Sequence, residues 1–443
     1  MPSSTKRGHG HTPVPPLAST HIEAPAPAYG TDMMAETHLD CGIHVLSEYI
    51  PSVRSASVGV WFRQGGAHEP LIDTGVSHLL EHMVFKGTER RSAAEIAMAL
   101  EGLGGSLDAY TSREHTSYQA RVLDEHLGEA LDVLADLVFN PVLRAEDLEL
   151  ERQVVLEEVA QVEDTPDDLV FELHSELLWQ GHPYGRSILG TKDSVANMSI
   201  DTLRDLHSRT YHGQNLIVAA AGNVQHEPFV ELVESLFGPR TGGQASEGIA
   251  RPGRTPSGDH RIERAAAQTH VVLGTGVPGH AHKDRYPLAL LSSALGGGMS
   301  SRLFQKVREE LGLCYSVYTY QSFYSESGLS GVYVGTRPAT ADAAVDAITT
   351  EMARMAASGL TPDELEQTKR QVKGQVMLSL ESTGARLYRL VSFALHREPF
   401  LGLDGLLRRI DSVTVEDVCR VAAEFYDPDR QLVVRLGPEV DVH

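Results

Sequence analysis

An internal repeat sets the architecture that this 443-residue sequence can adopt. Residues 198–201 (MSID) recur as residues 413–416 (VTVE), and the same offset of 215 residues separates Tyr211 from Tyr426. Each copy reads as a helix that begins after a Ser or Thr cap and is followed by a strand. A period of this length indicates duplicated domains rather than a solenoid of short repeats.

The pattern around the repeats predicts an α+β fold of two duplicated domains, each an antiparallel-rich mixed β-sheet packed with helices. A chain of 443 residues also exceeds what one hydrophobic core usually supports. Residues 240–258 are rich in Gly, Pro and Ser without an apolar period, which is typical of a linker. We therefore predict a disordered leader (1–35), a first domain with the metal motif described below (36–239), the linker, and a second domain without metal (259–443).

Composition excludes several classes of protein. The formal net charge is −22, from 38 Lys and Arg against 60 Asp and Glu residues, which argues against a nucleic-acid ligand. The three cysteines form no C-x-x-C pair, so neither a disulfide framework nor a cysteine zinc site is indicated. No apolar run reaches the ~18 residues of a membrane span, and the N-terminus lacks the apolar region of a secretory signal. We expect a cytoplasmic protein that binds neither nucleic acid nor membranes.

A short predicted helix early in the first domain contains an H-x-x-E-H motif, residues 78–82. Because helical positions four apart share a face, His78 and His82 can direct an imidazole nitrogen at the same ion. Glu81 stands directly before the second histidine. The motif reverses the commoner H-E-x-x-H zinc helix. It predicts a catalytic metal site in which Glu81 is the general base.

A long predicted helix, residues 144–162, supplies further carboxylates. Glu151 and Glu158 are two turns apart, so their carboxylates point the same way. Valine and leucine surround Glu158, which a purely solvated helix face does not explain. Periodicity alone leaves open whether Glu157 or Glu158 belongs to the metal site.

Three separated motifs, at residues 78–88, 106–118 and 151–158, agree in order and spacing with one known family. Together they resemble the pitrilysin/insulinase family of zinc metallopeptidases, with the nearest likeness to the β subunit of mitochondrial processing peptidase and its bacterial relatives. The resemblance runs from about residue 36 to the C-terminus. It implies one Zn²⁺ per chain, since the second copy has no H-x-x-E-H motif.

The resemblance implies roles for the two carboxylates on the long helix. In the family the distal glutamate ligand lies roughly 75 residues beyond the second histidine, which selects Glu158 rather than Glu157. With His78 and His82 it would leave one zinc coordination position open, as catalytic sites do. Glu151 matches the carboxylate that supports a metal-binding histidine in the family.

The resemblance also implies substrate contacts in both halves of the chain. Residues 105–111 resemble the edge strand that holds a peptide as an added β-strand, with Asp108, Ala109 and Tyr110 as the contact residues. Arg308 and Tyr315 are spaced like an Arg/Tyr pair that donates hydrogen bonds to the substrate carbonyl or oxyanion.

Dimerisation follows from the family's chamber of four such domains, of which this chain supplies two. Arg308 and Tyr315 of one subunit would complete the zinc site of the other, and a homodimer is favoured over a heterodimer because one chain carries both features. The predicted function is that of a zinc endopeptidase cleaving peptides or unfolded segments inside a closing chamber. The alternatives are a non-catalytic scaffold or regulatory subunit, and a zinc hydrolase of non-peptide amides.

Overall fold

The first half of the chain builds a six-stranded mixed sheet. The computed structural model describes residues 34–238, 243 and 245–439. The strands of the first sheet are β1 (Met34–His38), β2 (His44–Tyr49), β3 (Ser55–Phe62), β4 (Ser106–Thr111), β5 (Thr116–Leu123) and β6 (Leu216–Gly222). They pair in the order β1-β2-β6-β3-β5-β4, with β2 and β6 parallel and all other neighbours antiparallel. The central strand β6 is buried along its whole length, since helices cover both faces of the sheet.

Helices fill the connections of this half. They are α1 (Val76–Val84), α2 (Ala93–Glu101), α3 (Leu127–Phe139), α4 (Ala145–Asp164), α5 (Pro166–Leu178), α6 (Lys192–Asn197), α7 (Ile200–Thr210) and α8 (His226–Phe237). Local sequence sets their ends. The side chain of Ser199 accepts a hydrogen bond at the start of α7, as the repeat predicts. Pro166 occupies the first position of α5 and thereby separates it from α4.

The second half builds a five-stranded sheet of β7 (Gly258–Glu263), β8 (Thr269–Val277), β9 (Cys314–Phe323), β10 (Gly328–Thr336) and β11 (Leu432–Gly437). Its order is β7-β11-β8-β10-β9, and only the β7–β11 pair is parallel. Its helices are α9 (Arg285–Gly296), α10 (Ala341–Ser358), α11 (Pro362–Ser379), α12 (Thr383–Leu395), α13 (Leu403–Asp411) and α14 (Val415–Phe425). A π-helical segment, Phe304–Glu310, precedes β9.

The two sheets share one topology. The order β7-β11-β8-β10-β9 repeats β2-β6-β3-β5-β4 strand for strand, and α14 repeats α7 at the offset of 215 residues that separates Ile200 from Val415. The prediction of an α+β fold of two duplicated, antiparallel-rich mixed sheets is therefore confirmed. β1 is an addition to the first sheet and has no counterpart among the described strands of the second.

Each sheet borrows one covering helix from the other half. Helix α5 packs on the second sheet, where Val170 and Leu178 meet Val272 and Leu432. Helix α12 packs on the first sheet, where the core contains Leu46, Trp61, Ile217, Ala219, Ala221, Leu387, Leu390, Val391 and Ala394. The predicted domain boundaries at 36–239 and 259–443 stay a prediction, since both helices pack across them.

The predicted leader and linker are described only in part. Strand β1 begins at Met34 and so includes the last two residues of the predicted leader, whose other residues lie outside the described part of the chain. Residues 245–257 of the linker contain neither helix nor strand, and Gly258 is already the first residue of β7. Residues 240–242 and 244 lie outside the described residues. Of the helices that are described, none combines the length and the apolarity that crossing a bilayer requires.

One buried histidine ties the borrowed helix α5 to the second sheet and makes stability depend on pH. His174 is fully buried, and its Nε2 donates to the carbonyl of Leu432 at 3.1 Å. Burial lowers the pKa of His174 to about 4, whereas an unfolded chain has a value of about 6.5. The unfolded state therefore binds more protons between these values, so this contribution to stability is complete above pH ~6.5 and is lost as the pH falls toward 4.

We expect the free energy of unfolding to fall between about pH 7 and pH 5 in the wild type, and to fall less in a His174→Phe variant. Urea denaturation at the two pH values measures this slope. A His260→Gln variant, altered at an exposed histidine on β7, should keep the wild-type slope. Equal slopes in wild type and His174→Phe would contradict the assignment.

Candidate active site

A buried glutamate anchors the helix that carries the histidine motif. Gly75, the residue before α1, has φ +94°, a backbone conformation that suits glycine. Glu69 accepts hydrogen bonds from the backbone N–H groups of Gly75 (2.7 Å) and Ser77 (2.8 Å), so its carboxylate caps the first turn. Burial raises the pKa of Glu69 to about 7, even though these two bonds favour the charged form. The N-terminus of α1 is thereby fixed against the body of the fold.

Three side chains from two helices converge where α1 packs against α4. Nε2 of His78 and Nε2 of His82 lie 3.6 and 3.7 Å from Oε2 of Glu158 on α4. One potential ligand atom from each residue lies within 4.8 Å of the others. We call these three residues the metal cluster. Glu157, the alternative that periodicity left open, is exposed to solvent and is not part of it.

The donor set fits zinc. Zinc–nitrogen and zinc–oxygen bonds of ~2.0–2.2 Å place tetrahedral ligand atoms ~3.3–3.6 Å apart, close to the separations in the metal cluster. Burial, with a smaller effect from the neighbouring His82, lowers the pKa of His78 to about 4. His78 is therefore neutral at physiological pH, which is the form that binds a metal.

A further carboxylate orients one of the histidines. Nδ1 of His82 lies 3.1 Å from Oε2 of Glu151. Glu151 is buried and lies on the same face of α4 as Glu158. Lys86 forms an ion pair with the other oxygen of Glu151 and helps to hold that carboxylate in place. A carboxylate behind a histidine fixes the ring orientation and raises its basicity as a ligand. This is the position that the resemblance implies for Glu151.

Glu81 projects from α1 toward the end of strand β4. The hydroxyl of Thr111 donates a 2.6 Å hydrogen bond to Oε2 of Glu81. Burial raises the pKa of Glu81; the Thr111 bond and His82 oppose the shift, and the nearby Glu158 adds to it. A carboxylate held beside the metal cluster with a raised pKa is suited to accept and release a proton.

The strand that resembles a substrate-binding edge is indeed an edge of the first sheet. β4 pairs with β5 on one side and with no other described strand. Asp108 is exposed, Ala109 packs against the core, and the hydroxyl of Tyr110 lies 3.1 Å from Nε2 of His115. Side chains alternate along a strand, so Tyr110 and Thr111 point to opposite faces. Substrate contact by residues 108–110 stays a prediction.

Arg308 and Tyr315 meet each other in the second half. Arg308 lies in the π-helical segment, and its guanidinium carbon is 4.8 Å from the ring centre of Tyr315, the second residue of β9. Tyr315 is 79% exposed. Within the part of the chain that the structure describes, neither residue has a hydrogen bond or ion pair with the metal cluster.

Two residues at this site were not singled out by sequence reasoning. Thr111 and Lys86 both lie inside the motifs, but neither had a role. Strand alternation could have indicated Thr111, because successive side chains of a strand point to opposite faces and Thr111 directly follows Tyr110. Nothing in the sequence pairs Lys86 with Glu151, since the two come together only when α1 packs on α4.

The chain matches two family models side by side. Residues 44–192 match the model described as Insulinase (Peptidase family M16), and residues 197–372 match the model described as Peptidase M16 inactive domain. The metal cluster, Glu81 and Glu151 all fall inside the first match, while Arg308 and Tyr315 fall inside the second.

Relatives and solved structures cover nearly the whole chain. Uncharacterized zinc proteases of Mycobacterium leprae and Bacillus subtilis are 39% and 38% identical to it, covering 91% and 89% of this chain and 92% and 96% of their own lengths. A crystal structure of a protease from Helicobacter pylori has a TM-score of 0.85 at 24% identity, over 91% of this chain and 99% of that one. That structural likeness shows the fold alone. From its matches to the family models and to these full-length relatives, the chain belongs to the M16 family of peptidases, the insulinase and pitrilysin family.

Proposed function

We propose that this chain is a zinc-dependent endopeptidase that hydrolyses peptides or unfolded protein segments. The observation that carries the proposal is the convergence of His78, His82 and Glu158, with Glu81 held next to them by the last residue of an open edge strand. The relatives named as zinc proteases support the same reaction and the same metal. A scaffold protein would have no use for this combination.

The roles of the residues follow from their chemistry. His78, His82 and Glu158 would hold the zinc ion, which when bound polarises the scissile carbonyl and makes water more acidic. Glu81 accepts a proton from the attacking water and delivers it to the leaving amine. Its raised pKa brings it nearer to the pH at which both transfers are efficient. Glu151 keeps the ring of His82 in its ligand orientation.

Strand β4 offers a way to hold the substrate. Its unpaired edge can accept an extended peptide by main-chain hydrogen bonds, so recognition would depend on an extended backbone more than on particular side chains. Thr111 ends this strand and donates a hydrogen bond to Glu81, so a peptide added along this edge would lie beside the general base. Folded proteins present few free extended segments, so peptides and unfolded regions are the expected substrates.

A quenched fluorescent peptide library tests the proposal. Purified protein should cleave members of the library, lose this activity on chelation and regain it when zinc is returned. Protein that contains zinc but cleaves nothing would overturn the endopeptidase assignment and favour a scaffold role.

The hydroxyl of Thr111 should matter for turnover rather than for binding. A hydrogen bond to a charged group contributes ~1.5–3 kcal/mol, so we expect Thr111→Val to lower kcat about tenfold or more with little change in KM. Thr111→Ser keeps the hydroxyl and should retain most of the activity. Steady-state kinetics on a cleaved library peptide measure both constants, and equal losses in the two variants would argue against the contact.

We further propose that two chains form a homodimer around a closing chamber, in which Arg308 and Tyr315 of one subunit reach the zinc site of its partner. The exposure of Tyr315 supports this arrangement, as does its contact with Arg308, because neither side chain bonds to the metal cluster of its own chain among the described residues. Each side chain is a hydrogen-bond donor suited to a developing oxyanion.

Mixing two inactive variants tests the shared site. Glu81→Gln and Arg308→Ala chains should each be inactive alone, whereas subunit exchange between them should restore about a quarter of wild-type activity, from the one intact site in each mixed dimer. A heterodimer with another protein, or an Arg308 that serves its own chain, would leave the mixture inactive.

A further inference from the structure

A second group of side chains of the metal-ligand type lies at the turn end of the β1–β2 hairpin, on the opposite edge of the first sheet from β4. His38 and His44 are directly paired across the two strands, and Glu36 lies two residues before His38 on the same face. Nε2 of His44 is 2.7 Å and Nε2 of His38 is 3.1 Å from the same atom, Oε1 of Glu36. Both imidazoles thus point at one position.

The hairpin turn fixes this convergence. Gly42 has φ +95°, and a Cβ built there would lie 2.6 Å from the side chain of Gln214, so other residues are strained at this position. The backbone N–H of Leu39 donates to the carbonyl of Ile43, which closes the turn directly beyond the His38–His44 pair. The rings of His38 and His44 stack with centres 4.2 Å apart. Register and turn together keep the two ligand nitrogens on one side of the hairpin.

We propose that Glu36, His38 and His44 form a second site for a divalent transition metal ion such as zinc, separate from the candidate active site. The donor set is the same as that of the metal cluster: two imidazole nitrogens and one carboxylate oxygen, with one potential ligand atom from each residue within 4.8 Å of the others. Small rotations of the exposed Glu36 and His38 open the hydrogen-bonded distances to those of metal ligands.

The surroundings predict a weaker site than the metal cluster. His38 is 68% and Glu36 45% exposed at the side chain, while His44 is 11% exposed and provides the fixed ligand. These three side chains line a cavity of about 320 Å³. Arg63 lines it too and places a positive charge near His44. The charge of Arg63 repels a bound cation, and exposed side chains lose conformational freedom when they are fixed as ligands, so both effects lower the affinity for a metal ion. We expect binding at least tenfold weaker than at the metal cluster.

The position of the site gives the ion a structural role. β1 is the added edge strand of the first sheet, and it supplies two of the ligands while β2 supplies the third. An ion bound there joins β1 to the sheet by bonds that hydrogen bonding alone does not provide. Metal binding should therefore slow hydrogen exchange at the amides of β1.

Removal of the metal cluster isolates the second site. In full-length protein with His78→Ala and His82→Ala, calorimetric titration with zinc should still show binding at the hairpin. Adding His38→Ala, or separately Glu36→Gln, should weaken that binding at least tenfold and abolish the zinc-dependent protection of β1 in hydrogen exchange. Both positions are exposed, so neither change threatens folding.

The matched control is His260→Ala in the same background, since His260 is an exposed histidine on β7, an edge strand of the second sheet. It should leave the titration and the exchange unchanged. Histidines of the leader, such as His9 and His11, are present in all variants and do not affect the comparison. Identical zinc binding in the His38→Ala and His260→Ala proteins would overturn the proposal, as would a lack of zinc-dependent protection in β1.

Discussion

A Glu81→Gln variant is expected to lose ~10²–10⁴-fold in kcat for peptide cleavage while it keeps its zinc, because glutamine occupies the same space but cannot accept a proton. The three metal-cluster residues are unchanged in this variant, and its amide can still accept the hydrogen bond from Thr111. Zinc content by mass spectrometry of the metal and kcat on a cleaved peptide are the two measurements.

A Glu89→Gln variant is the control for this loss, because Glu89 is an exposed glutamate shortly after α1. It should retain wild-type activity and zinc content. Substantial turnover by Glu81→Gln would remove Glu81 from the mechanism, and loss of zinc from the same variant would mean that it acts on the metal site instead.

A Glu158→Gln variant is expected to lose zinc, whereas Glu157→Gln should keep it. The carboxylate of Glu158 lies at the distance from both histidine nitrogens that is expected between two ligands of one zinc ion. An amide oxygen is a much poorer zinc ligand than a carboxylate. Changes even behind the ligands cost 10–100-fold in affinity, so loss of a ligand should cost about 100-fold or more. Competition with a chelator of known affinity measures the difference.

The neighbouring pair of glutamates makes this comparison sharp. Both variants carry the same chemical change on the same helix, and Glu157 is exposed, so general effects on α4 or on net charge are matched. Activity of Glu158→Gln should return in part at high zinc concentration. If Glu157→Gln were the variant that lost zinc, the face of α4 that points toward His78 and His82 would be the one with Glu157, which would contradict the assignment of Glu158.

Local sequence signals were sufficient for most elements of the first half. These signals predict helices at 92–103, 125–139 and 144–162, which correspond to α2, α3 and α4 in the structure. They also predict paired strands between residues 106 and 123, which are β4 and β5. Caps, glycines and apolar periodicity act within a few residues, so they can be read without knowing the rest of the fold. The repeat then extended the reading to the second half.

The same signals could not decide between Glu157 and Glu158. Adjacent helical positions differ by about 100° around the axis, and apolar residues flank both glutamates in the sequence, Leu156 before them and Val159 after them. The side that faces His78 and His82 is set by the packing of α4 on α1, which is a contact between distant segments. Family spacing selected Glu158, and the structure brings that residue to the histidines.

The contacts between the two halves of the chain could not be predicted from the sequence either. Periodicity shows that one face of α5 or α12 is apolar, but not which sheet covers it. The group of Glu36, His38 and His44 could not be predicted from the sequence for a similar reason. The pairing of His38 with His44 depends on the register of the hairpin, and isolated histidines in a short strand form no spacing motif.

The exchange of covering helices determines the order in which the molecule can be completed during synthesis. The face of the first sheet that contains Trp61 and Ile217 is covered by α12, which ends at Leu395, whereas the last strand of that sheet ends at Gly222. At typical rates of translation this apolar face would wait roughly 10 to 35 seconds for its helix. The nascent first half is therefore an incomplete core that other proteins can reach, and the chain should depend on chaperones while the ribosome finishes it.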